Sequence, residues 1–119
     1  MSLIVDLRIF SPRWGHEDTY SVELDHDFME ITMGARKARA AWRDNLDPEW
    51  TGEPIKQIMN NDNIHPPAIT QDLFEHVWKD WRYEELSAQE VEEELNEIAK
   101  WVNAVTSSKP KTKYWEKYF

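Results

Sequence analysis

The beginning of the chain alternates, and that alternation limits what the rest can fold into. Leu3, Val5, Leu7 and Ile9 fall on one side of an extended backbone; Tyr20, Val22 and Leu24 do the same, with polar Ser21, Glu23 and Asp25 between and after them. Two runs of period two, joined by "SPRWGHED" with Pro12 and Gly15 as turn residues, predict an antiparallel hairpin pairing residues 3–10 with 19–24. A lone ribbon of this kind is marginally stable, with one apolar face and two bare edges. Helices must therefore cover the face. Helices and tail, or a second copy of the chain, must cover the edges. The first strand is less one-sided than the second, since Ile4 and Phe10 lie on its other face.

From Asp27 the spacing changes. Phe28, Ile31, Ala35, Ala38 and Trp42 recur at helical intervals, and Asp27 with Glu30 resembles a capping box, which predicts a helix over residues 28–44. The rival is a third strand over "FMEITM" with a helix starting after Gly34; the stripe runs unbroken through Gly34 and favours the longer helix. Pro54 suits the first position of a short helix over 54–62. A third helix is predicted over 67–85, with Ile69, Leu73, Val77 and Trp81 on its stripe. The fourth, over 88–106, opens on the capping box Ser87–Glu90 and carries Val91, Leu95, Ile98, Val102 and Val105. The expected architecture is α+β: an N-terminal antiparallel β-hairpin packed on three to four α-helices, in a single domain spanning 1–119 with an aromatic C-terminal tail.

Composition excludes several chemistries. With no cysteine there are no disulfides, thiolate metal sites or cysteine nucleophiles. Three glycines leave no phosphate-cradling loop or dinucleotide fingerprint, and neither Gly-x-Ser-x-Gly nor His-Glu-x-x-His occurs. The start "MSLIVDLRIF" lacks a basic leader and is interrupted by Asp6 and Arg8, so neither a signal peptide nor a membrane span is expected, and the cytoplasm is the expected location. A net charge of −9 opposes nucleic-acid binding, even through Arg36, Lys37, Arg39 and Arg43.

The remaining signals concern recognition. Trp14 and Trp50 sit in loops, where no core periodicity accounts for them; loop aromatics on a rigid scaffold mark binding surfaces, although they also lid small cores. Asp72, His76 and Asp80 share a helix face but lack an identified closing ligand, and the neighbouring Glu75–Lys79 pair is typical of a solvated face; no metal and no cofactor is expected. Residues 84–97 hold seven glutamates and no base. Glu90/Glu94 and Glu93/Glu97 are like charges one turn apart, and Glu94 and Glu97 lie beyond the reach of the helix dipole. A cationic surface opposite them would relieve the repulsion. The tail over 111–119 ends in "YWEKYF"; Trp115, Tyr118 and Phe119 are expected to dock on their own domain or on a neighbouring subunit, with the lysines over acid.

The functional expectation is a small acidic, non-enzymatic binding or interaction protein. It self-associates as a homo-oligomer and engages a basic protein partner, as inhibitors, immunity proteins and antitoxins do. Trp14, Trp50, Glu94 and Glu97 are its expected binding residues. The alternative is a small-molecule-binding protein or enzyme with a tryptophan-lined pocket holding carboxylates, with Trp14, Trp50, Asp72 and His76 as first suspects.

Overall fold

The alternating runs form two strands of a sheet twice as wide as the sequence predicts. The computed structural model describes residues 2–11, 15–42, 67–102 and 109–118. Strands β1 (Leu3–Ser11), β2 (His16–Leu24), β3 (Phe28–Met33) and β4 (Arg36–Trp42) form a four-stranded antiparallel sheet in the order β1-β2-β3-β4. Two helices follow, α1 (Pro67–Arg82) and α2 (Ala88–Val102), and then a single turn, α3 (Trp115–Tyr118). The class is α+β, but the helix expected over 28–44 is a hairpin, and among the described residues two long helices replace the expected three to four. The helix expected over 54–62 lies outside the described residues.

The correction at 28–44 has a clear physical origin. Gly34 has φ +61°, and with Ala35 it makes a two-residue connection between the paired residues Met33 and Arg36. Glycine at the first central position is what a twist-compatible hairpin turn requires. Folding the chain about this turn brings Phe28 opposite Trp42 and Ile31 opposite Ala38. The spacing that mimics a helical stripe is thus a list of cross-strand partners, nearly symmetric about the turn. A bulge completes the disguise: Met29 faces Ala41 but Glu30 faces Arg39, so Ala40 is an extra residue in β4. Ala38, Ala40 and Ala41 are all buried, which breaks period two in that strand. Asp27, expected to cap a helix, instead donates its backbone N–H to Asp25 Oδ1 at 3.0 Å in the β2–β3 turn.

One face of the sheet carries the core. Val5, Leu7, Ile9, Tyr20, Val22, Leu24, Met29 and Ile31 are buried beneath Leu73, Phe74, Val77 and Trp78 of α1 and Val91, Leu95, Ile98 and Val102 of α2. The indole N–H of Trp78 donates to the Asp25 carbonyl at 2.7 Å, and His26 stacks on Trp81 at 5.3 Å, so the β2–β3 turn is pinned to α1. On the opposite face Arg39 bridges Glu30 at 3.3 Å and lies over the Phe28 ring at 4.9 Å.

Helix α1 stops earlier than the predicted residue 85. The Glu85 N–H donates to the Asp80 carbonyl at 2.9 Å and the Glu84 N–H to that of Trp81 at 3.0 Å, with Glu84 at φ 61°. This is a Schellman termination with a non-glycine residue in the left-handed position, where a Cβ costs roughly 1 kcal/mol. Glu84→Gly is accordingly expected to stabilise the fold by about 0.5–1 kcal/mol and raise Tm by roughly 2–6 °C. Calorimetry showing an unchanged or lower Tm would contradict the strain assigned to this cap.

Candidate functional site

Helix α2 divides its surface three ways. Val91, Leu95, Ile98 and Val102 face the core. Glu90, Glu94 and Trp101 face the C-terminal tail. Gln89, Glu92, Glu93, Asn96 and Lys100 face outward alongside β1 and form one wall of a groove of about 1000 Å³.

The capping box fixes where this helix starts. The Ser87 N–H donates to the Glu90 carboxylate at 3.0 Å, and the Glu90 N–H donates to Ser87 Oγ at 3.2 Å. The Ser87 backbone N–H, then its hydroxyl, hold the Glu90 carboxyl below the ordinary carboxylate range.

The tail docks on the second surface. Tyr114 is fully buried, stacks in parallel on His76 at 6.1 Å, and donates its hydroxyl to Asp80 Oδ2 at 2.8 Å. Trp115 is half-buried and meets Trp101 edge-on at 5.7 Å. The Thr112 hydroxyl donates to Glu94, and Lys109 pairs with Glu116 at 3.6 Å within the tail. Glu94 is therefore met by its own chain's tail. Glu97 is met by Lys100, one turn on, at 3.2 Å. The side chain of Tyr118 and all of Phe119 lie outside the described residues, as do Trp14 and Trp50. Two of the three suspected metal ligands, His76 and Asp80, instead hold Tyr114; among the described residues no group of three such side chains converges.

Burial, reinforced by the hydrogen bond to Asp80, pushes the Tyr114 hydroxyl above its ordinary value of 10.0. A raised value means that the fold favours the neutral phenol, so its stabilisation is complete below the unfolded value and is lost as pH rises through the folded one. Tyr114→Phe is expected to cost about 1–3 kcal/mol at neutral pH, as for a hydrogen bond to a charged acceptor. It should also flatten the alkaline fall in stability, read from thermal melts between neutral and strongly alkaline pH. A variant with the parent's melting point and alkaline slope would show that this hydroxyl does not hold the tail.

The groove is built on the third surface. Its sheet side carries Ile4 and Phe10, which are 63% and 50% exposed, large for apolar side chains. Around them stand Glu17, Glu92, Glu93 and Glu97, against the bases Arg8 and Lys100. Asn96 ties the two walls: its Oδ1 accepts from the Arg8 N–H at 2.8 Å and its Nδ2 donates to the Asp6 carbonyl at 3.0 Å. Gln89 donates to Glu93 at 3.1 Å. The arrangement can hold an apolar group against Ile4 and Phe10 with cations along its rim. Of the two expected binding residues that fall among the described residues, Glu97 lines it and Glu94 does not. Ile4 and Phe10 were visible as apolar residues on the wrong face of a strand; Asn96, a single polar residue between two glutamate pairs, gave no signal.

A family model described as "Integron cassette protein" matches residues 3–106. The chain belongs to the integron cassette protein family. It is also similar to a solved integron cassette protein from the mobile metagenome of V. cholerae, with 51% sequence identity over 98% of this chain and 99% of that one, and a TM-score of 0.70. No curated protein matches. Neither description names a ligand, a partner or a reaction. Among the described residues of this family member, no helix is long and apolar enough to cross a membrane.

Proposed function

We propose that this integron cassette protein is a non-enzymatic binding module whose β1–α2 groove captures a basic, apolar-anchored segment of a protein partner. One observation carries the reading: among the described residues, two exposed apolar side chains, Ile4 and Phe10, are bordered by four carboxylates and two bases. A cleft lined mainly by one sign of charge attracts the opposite sign and speeds its encounter. The apolar floor supplies the burial that long-range charge does not. No tryptophan lines the groove among the described residues, so the alternative of a tryptophan-lined small-molecule pocket gains no support from it.

Self-association is the less supported half of the expectation: Asn96 occupies the middle of the β1 edge, and Tyr114 docks the tail on α1 of its own chain.

Selection of a random peptide display library against the chain at low salt tests the reading. Enriched peptides are expected to combine Lys or Arg with large apolar residues. Their affinity should fall as salt rises, by screening. Glu92→Gln with Glu93→Gln, both on exposed positions where folding tolerates change, should weaken binding about tenfold, and Phe10→Ser should do likewise. Enrichment of neutral or acidic peptides, or equal binding by these variants, would overturn it.

A further inference from the structure

The groove exposes a backbone as well as side chains. β1 is an outer strand of the sheet, paired on one side only among the described residues. The Arg8 N–H and the Asp6 carbonyl reach Asn96, so they point away from β2. In a strand, one residue's N–H and C=O share a side and successive residues alternate. Ile4 and Phe10 therefore also turn their peptide groups outward, and no partner for these is present among the described residues. The Asn96 carboxamide offers the Arg8 N–H an acceptor and the Asp6 carbonyl a donor, much as a residue of an adjoining strand would. It covers the middle of the edge and leaves both ends open. Edges are ordinarily blunted by proline, bulges or a covering element, because an open one pairs with any extended chain. Between Leu3 and Ser11 there is no proline, and the pairing with β2 is continuous.

We infer that the partner's segment enters as an extended strand, adding to the β1 edge and displacing the Asn96 carboxamide; this rests on the basic-partner reading above. Strand addition also specifies the segment's sequence. Side chains of an added strand alternate between the two faces of the sheet. One set falls on the α2 side, against Glu92 and Glu93; the other lies beside Ile4 and Phe10. The ligand is a segment in which Lys or Arg alternates with apolar residues. A helical segment satisfies its own backbone and would leave these peptide groups unpaired.

The test uses a fluorescein-labelled peptide of alternating lysine and valine, and a series carrying one backbone N-methyl group at each successive position. A methyl on a residue whose N–H pairs with β1 deletes a hydrogen bond and clashes; on the next residue it points to solvent. Affinity for the full chain is expected to fall about tenfold or more at every second central position and to change little between them. Amide exchange at Ile4 and Phe10 should slow when the unmethylated peptide binds. Asn96→Ala should bind it several-fold more tightly, since the competing carboxamide is gone. Uniform tolerance of N-methylation, unprotected β1 amides, or weaker binding by Asn96→Ala would sink strand addition while leaving the groove reading intact. Failure of the unmethylated peptide to bind at low salt would remove the basic-partner reading itself.

Discussion

The structure depends on one helix having three different neighbours. A surface helix ordinarily needs one apolar stripe and gives the rest of its surface to water. Helix α2 buries Val91, Leu95, Ile98 and Val102, receives the tail along Glu90, Glu94 and Trp101, and turns Glu92, Glu93 and Asn96 towards the groove. Rotating it by one residue would move a glutamate into the core and withdraw Asn96 from β1. A buried unpaired carboxylate is so costly that the helix has a single tolerable rotation. The Ser87–Glu90 capping box fixes its start, and the Asn96 carboxamide fixes its height against the strand.

The sheet sets the complementary constraint. A meander of four strands removes the bare edges of β2 and β3, and it leaves β1 as an outer strand alongside α2. Using a side-chain amide to occupy the middle of that edge differs from covering it with another strand. A carboxamide can be displaced by rotation about two side-chain bonds. A paired strand leaves only with its whole ladder. The edge is thus protected in the free chain without being closed permanently.

How much of this was legible follows from how local each signal is. Strict alternation in Leu3–Ile9 and Tyr20–Leu24, and the stripes Leu73–Val77 and Val91–Val102, are each satisfied by one element against the core, so the letters show them. Residues 28–42 mislead because their partners are on the other side of a turn: Phe28 with Trp42 and Ile31 with Ala38 reproduce helical spacing by reflection, and the extra Ala40 erases the period of two. The β-branched pair Ile31–Thr32 and the mid-stripe Gly34 were the available hints against a helix, each worth only about 1 kcal/mol or less. The site was less legible still. Asn96 acts through contacts about ninety residues away in sequence, and the buried ring of the tail is Tyr114, just before the residues expected to dock. Contacts of that range leave no periodic trace.

The acidity of the chain has to be divided in the same way before it can bear on function. A net charge of −9 describes solubility and long-range attraction, not a site. Much of the acid in and around α2 already has local work: Glu90 caps the helix, Glu94 accepts from Thr112, and Asp80 holds Tyr114. Glu30, on the far face of the sheet, is held by Arg39 and Lys37. What remains beside exposed apolar surface is Glu17 and Glu92, with Glu93 shared with Gln89 and Glu97 with Lys100. That remainder is small, and it is concentrated where Ile4 and Phe10 stand uncovered and where β1 still has backbone to offer. The proposed basic, extended partner is therefore matched to the position of a few carboxylates left once the structural ones are set aside, a feature that the composition of the chain does not contain.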